Sequence, residues 1–171
     1  MAIVIQMHGE PGSGKSTLAA VLGPRLGAVV LDKDIVKAAV MRGASMDNAA
    51  AGPPAYEVYW AIARSIAQQG YSLIFDNPAY WPRVQQQSRA IAHEAGAAYV
   101  MIECVCADRA VLIERLTTRD AMISQPREPY RFDAVAGIVE PACERLVLDT
   151  MRPLDDIVEE ALAYVHAGVP S

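Results

Sequence analysis

The chain has 171 residues, 53% of them apolar, and a formal net charge of −5. That length suits one domain able to bury about 70% of its unfolded surface, and the apolar share suits a sheet covered on both faces. The negative charge comes without a basic run or tail, which argues against a surface that tracks along duplex DNA. Three cysteines are too few for a disulfide framework and fit a reducing compartment. No apolar stretch reaches bilayer-spanning length and no basic leader with a cleavage site is present, so a cytoplasmic location off the membrane is expected.

In chain order, residues 2–7 are an apolar run that predicts a buried first strand, and residues 16–22 read as the helix after it. Between them, Gly9-Glu10-Pro11-Gly12-Ser13-Gly14-Lys15-Ser16 matches Gly-x-x-x-x-Gly-Lys-Ser, the phosphate-binding loop. Gly9, Gly12 and Gly14 lack the Cβ atoms that would block close backbone approach, so successive amide N–H groups can point at phosphate oxygens. Lys15, read as a solvent-facing point charge, reaches the outer two phosphates, and Ser16 offers a hydroxyl to Mg2+. The helix that begins near Gly14 turns the positive end of its dipole on the same anion. A nucleoside triphosphate is therefore the expected ligand.

Residues 28–31 form a second strand, after which Asp32 or Asp34 caps a helix through Val40. The small, turn-rich residues 43–55 predict a surface loop, and residues 56–69 a helix ended by Gly70. Residues 71–75 are a strand, and Pro82 opens a helix to about Ala95. Residues 98–106 are a long strand whose Cys104 and Cys106, with no histidine at metal-ligand spacing, read as packing. A helix over 109–119 leads into residues 120–132, a charged, proline-containing segment that fits a mobile lid. A helix from about Asp133, a strand over 145–148 and a helix over 153–166 follow. The alternation predicts a single α/β domain over residues 1–171, a doubly wound five-stranded parallel sheet of the P-loop, nucleoside-monophosphate-kinase-like kind. Its ligands belong at the carboxyl ends of the strands.

That rule singles out three aspartates. Asp32, Asp34 and Asp76 each come at or just past the end of an apolar strand, so they belong beside the phosphate loop. Asp76 ends Leu73-Ile74-Phe75-Asp76, the pattern that holds Mg2+ or its waters. The next residue is Asn77 rather than the water-activating glutamate of motor-type ATPases, which points to transfer instead of hydrolysis. Either Asp34 or Asp32 can serve as the base, on the expectation that residues two apart at a helix start cannot both face the acceptor. Arg115 and Arg119 are four apart and project together from one helix face towards the lid. Arg119 can then supply positive charge that strengthens towards the transition state.

Four separated pieces resemble the small P-loop kinases that include gluconate kinase, chloramphenicol phosphotransferase, zeta toxins and the polynucleotide 5′-kinase module. They are the loop from Gly9 to Thr17; Asp34-Ile35-Val36-Lys37, similar to the family's Asp-x-x-Arg; Asp76-Asn77-Pro78; and Arg115-Leu116-Thr117-Thr118-Arg119, similar to the Arg-x-x-x-Arg that opens the lid. The resemblance implies ATP and Mg2+ as donor and cofactor, with Ser16 and Asp76 at the metal. It also implies Asp34 as acceptor of the hydroxyl proton, Lys37 on the acceptor, Arg115 against adenine and Arg119 on the transferring phosphate. Lys37 departs from arginine and loses bidentate recognition. Asn77-Pro78 departs from the family's frequent Asp-x-Asn.

The acceptor side is expected over residues 38–70, with Tyr80 and Trp81 close behind Asp76. Tyr56, Tyr59, Trp60, Tyr80 and Trp81 can either stack a base, sugar or aryl ring or pack into the core. Arg64 or Arg83 can bind an anionic group. The expected activity is ATP-dependent phosphorylation of a hydroxyl on a small molecule such as a nucleoside, sugar or antibiotic. The alternatives are a polynucleotide 5′-hydroxyl kinase and a toxin-like or regulatory ATPase. A GTP-dependent switch is disfavoured because Thr117-Thr118-Arg119-Asp120 lacks the lysine of Asn-Lys-x-Asp.

Overall fold

A computed structural model describes residues 1–126, 141 and 143–168. Strand β1 (Ile3–His8) is buried along its whole length and lies between β3 (Leu73–Asp76) and β4 (Ala98–Val105). Beyond these lie β2 (Val29–Asp32) and β5 (Leu146–Asp149), giving the all-parallel order β2-β3-β1-β4-β5. Parallel neighbours need long crossovers, and helices on both faces supply them. The pleat sorts β1 by a period of two. Ile3, Ile5 and Met7 pack with α1 (Lys15–Leu26) and α6 (Leu154–Ala167), whereas Val4 joins Tyr59, Trp60 and Ile91 from α3 (Gly52–Gln68) and α4 (Pro82–Glu94). Since all five strands point one way, their carboxyl ends share one edge, where the loops gather.

Several boundaries differ from the sequence reading for local reasons. Helix α1 continues past residue 22 to Leu26 although it contains Pro24. Pro24 gives up the bond its N–H would make to the carbonyl four residues back, and Gly27 closes the helix in a left-handed conformation (φ 60°). Gly23 lets α1 approach the sheet, since a Cβ there would lie 2.6 Å from Val30 Cγ2. Helix α2 (Lys33–Gly43) is capped by Asp32, whose Oδ1 accepts from the Asp34 N–H at 2.6 Å. Helix α3 begins at Gly52 rather than Tyr56, because Pro53 and Pro54 fill first-turn positions whose N–H groups have no partner in a helix anyway. Helix α5 (Arg109–Thr118) stops one residue short of Arg119, which takes an extended conformation. Cys104 is buried in β4, but Cys106 lies just past its end. Of the expected lid only residues 120–126 are described; its remainder and the helix expected from Asp133 lie outside the described residues. Among the described residues no helix is long and apolar enough to cross a membrane.

Candidate active site

A cavity of about 1090 Å³ opens at the carboxyl edge of the sheet. Its floor is the loop between β1 and α1. Gly9, Gly12 and Gly14 have φ values of 127°, 85° and 88°, which L side chains rarely adopt. Space enforces the same choice. A Cβ on Gly9 would lie 2.1 Å from the Cys104 carbonyl oxygen, and one on Gly14 would lie 3.1 Å from the Thr150 methyl. Pro11, Gly12, Gly14, Lys15, Ser16 and Thr17 line the cavity. Gly9, Glu10 and Ser13 instead line a smaller cavity of about 370 Å³ on the other side of the loop, where Glu10 pairs with Arg109 at 2.8 Å.

Lys15 is only 9% exposed, so it is not the solvent-facing charge the sequence suggested. Its ammonium donates to the Glu10 carbonyl at 2.9 Å, and burial pushes its pKa down while the Asp76 charge opposes that. Asp76 ends β3 almost wholly buried. Burial raises its pKa, against a hydrogen bond from Ser16 and the charge of Lys15. Ser16 and Asp76 thus meet beside the lysine.

Asp32 and Asp34 both line the cavity, which corrects the expectation that only one of them could. Asp32 lies outside the helix as its cap, so the spacing of helical residues does not apply to the pair. The Asp34 carboxylate is 2.5 Å from Lys33 Nζ, and Lys37 donates to Asn48. Asp32 is pushed up to about 6, first by burial and then by the Asp76 charge. On the opposite wall, Arg115 donates to the Thr150 hydroxyl at 2.9 Å and the Thr150 carbonyl at 3.0 Å. Arg119 also lines the cavity and donates to the Pro126 carbonyl, but it does so from beyond the helix, not from one shared helical face.

Of the aromatic candidates, Tyr56, Trp60 and Trp81 line the cavity. Tyr80 does not. It is 5% exposed, packs edge-on to His8 at 4.4 Å and faces the smaller cavity. Tyr59 is core, with its hydroxyl bonded to the Leu31 carbonyl and Asn77 Oδ1. Arg83 lines the mouth and pairs with Glu57, while Arg64 pairs with Glu94 and Gln87 away from the cavity. Sequence reasoning missed Lys33, Asn77, Ser124 and Thr150 as lining residues. Thr150 directly follows β5, so the strand-end rule that picked out the aspartates would have found it. Ser124 donates to the Asp34 carbonyl from 90 residues away, a contact no local pattern announces.

A phosphate loop at the head of a five-stranded parallel sheet defines this molecule as a P-loop nucleotide-binding α/β protein. The family model described as AAA domain matches residues 4–129, and the chain belongs to that family. No curated protein sequence matches it. Among solved structures it is similar to an inferred kinase from Chloroflexus aurantiacus J-10-fl, with a TM-score of 0.73, 21% identity and 98% of each chain covered. It is similar to the APS kinase of Mycobacterium tuberculosis in complex with AMPPNP and APS, with a TM-score of 0.68, 17% identity and coverage of 96% of this chain and 98% of that one. A gluconokinase from Sinorhizobium meliloti 1021 gives 0.59 and 20%, over 97% of this chain and 91% of that one. The fold is therefore that of a P-loop kinase with small-molecule kinases as neighbours.

Proposed function

We propose that this protein is an ATP-dependent kinase that moves the γ-phosphoryl group to a hydroxyl of a small molecule. The observation that carries this reading is the convergence of the phosphate loop, the Ser16–Asp76 pair, two arginines and the Asp34 carboxylate on one cavity. Phosphoryl transfer asks for positioned phosphates, neutralised charge and an oriented nucleophile. The glycine cradle, which a Cβ would fill, fits a triphosphate, and Ser16 with Asp76 fits Mg2+ held through one or two protein oxygens plus phosphates. When bound, Mg2+ would neutralise charge on the outer phosphates.

The chain's own groups divide the remaining work. Backbone N–H groups of residues 12–16 and Lys15 hold the phosphates, and Arg119 places charge where the transferring group becomes more anionic. Arg115, fastened to Thr150, forms the wall expected to face the nucleoside. Asp34 takes the proton of the acceptor hydroxyl as its oxygen bonds to phosphorus and the bond to the β-phosphate oxygen breaks, leaving ADP and a phosphate ester. Asp32, whose Oδ1 accepts the Asp34 N–H, is the alternative base.

Asp34→Asn keeps shape and removes proton-accepting capacity. ATP·Mg2+ should then bind near-normally while transfer falls by about 10²- to 10⁴-fold. Asp76→Asn should instead raise the Mg2+ concentration that half-saturates the rate. Transfer rates for both variants across a Mg2+ titration test the assignment, and full rate in Asp34→Asn overturns it.

A further inference from the structure

Just past Arg119, residues Asp120, Met122, Ser124, Gln125 and Pro126 line the large cavity. This segment is closed on itself. The Met122 N–H donates to Gln125 Oε1 at 3.1 Å, and the Gln125 N–H donates back to the Met122 carbonyl at 3.0 Å. Arg119 reaches the Pro126 carbonyl, so the arginine is tied to the residues that follow it.

Two connections fasten the segment to α2, the helix that carries Asp34. The first is buried: Ser124 is 4% exposed, and its hydroxyl donates to the Asp34 carbonyl at 2.7 Å. Asp34 is then held at both backbone groups, since its N–H goes to Asp32 Oδ1. The second runs through Asn48. Lys37 donates to Asn48 Oδ1, and Asn48 Nδ2 donates to the Ile123 carbonyl at 3.2 Å. That amide can face only one way, because a lysine ammonium offers no acceptor and a backbone carbonyl offers no donor. The turn that presents Asn48 is held by Asp47, whose Oδ1 accepts the Ala50 N–H at 2.8 Å and whose carbonyl accepts the Ala51 N–H at 3.0 Å. A lysine, a point charge on a flexible stem, suits the single bond that Asn48 takes.

We propose that Ser124, Asn48 and Lys37 are positioning residues: they latch the segment after α5 onto α2, so that one docking contact sets both Arg119 and Asp34. The inference rests on the kinase reading, in which these two groups serve the donor and acceptor ends of one transfer. Transfer loses rate when either group is displaced or when water enters between them, and the latch guards against both. Lys37 acts here through Asn48.

The test follows exchange of backbone hydrogens for deuterium by mass spectrometry in the full chain, free and with AMPPNP·Mg2+, for the parent, Ser124→Ala and Asn48→Asp. Asn48→Asp keeps the oxygen that Lys37 bonds and loses the donor to Ile123. Its exposed position means that it decides the matter if Ser124→Ala fails to fold. Losing one bond of the latch should speed exchange over residues 119–125 by about two- to tenfold in each variant, with β1 and β4 unchanged. Release of AMPPNP·Mg2+, measured by stopped flow, should quicken by a similar factor, which a merely structural role would not produce. Unchanged exchange in the segment, faster exchange across the whole sheet, or unchanged release overturns the proposal. Failure of AMPPNP·Mg2+ to bind the parent overturns the kinase reading instead, and exchange in the free protein still decides whether the latch exists.

Discussion

Two titratable side chains at the strand ends, the half-buried Asp32 and the buried His8, are pushed in opposite directions. Asp32 rises to about 6, by burial first and then by the Asp76 and Asp34 charges. His8 falls to about 4, because burial outweighs the attraction of Glu103 and is joined by repulsion from Arg145 and Lys15. For Asp32 the stabilising contribution is complete below its ordinary 3.8 and is lost as pH rises through about 6. For His8 it is complete above its ordinary 6.5 and is lost as pH falls towards about 4. The two slopes oppose each other between these limits. Melting temperatures measured from pH 4 to 7 should therefore show Asp32→Asn losing stability on acidification more steeply than the parent. His8→Asn, whose amide oxygen can still accept the Ala79 N–H that His8 Nδ1 accepts at 3.1 Å, should lose it less steeply. Parallel profiles for all three proteins would refute the assignment. At the same scale, Lys15→Ala removes the buried positive charge proposed to hold the phosphates, and kcat/KM should fall by about 10²- to 10³-fold. Unchanged turnover in that variant would remove the basis of the phosphate-loop assignment.

At the scale of elements, the phosphate loop is held by its contact with β4 as much as by its own sequence. Gly9 and Gly27 both have positive φ, but only Gly9 has backbone against it: a Cβ at Gly27 meets nothing within 4 Å. Gly27→Ala should cost about 1–2 kcal/mol, the left-handed penalty alone. Gly9→Ala adds an overlap with the Cys104 carbonyl and should cost at least about 3 kcal/mol. Urea unfolding of the two variants compares them directly, and equal losses would show that the loop does not depend on that approach. The helices and strands were largely legible in the sequence, since apolar runs and Gly or Pro punctuation locate them. The start of α3 was not, because Gly52-Pro53-Pro54 reads as a turn until Tyr59, Trp60 and Ala63 are buried behind it. Packing overrides local propensity there.

For the whole molecule, a ligand that binds only the folded state stabilises it by about 2.7 kcal/mol at a hundredfold excess over Kd. For a chain of this size that is a rise in melting temperature of about 5–10 °C. ATP·Mg2+ should produce it, and Lys15→Ala should abolish most of it; calorimetry with and without nucleotide measures both. Equal melting with and without ATP·Mg2+ would count against nucleotide binding.

The sequence by itself determined the phosphate loop, the parallel α/β class and the strand-end aspartates, because each follows from residue type at short spacing. Only the tertiary structure decided which side chains share the cavity. It placed Asp32 beside Asp34, turned Tyr80 to the far side of the loop against His8, and brought Ser124 onto the Asp34 carbonyl. The Tyr80 and Ser124 placements depend on contacts between residues far apart in the chain, up to 90 positions, and periodicity carries no information at that range.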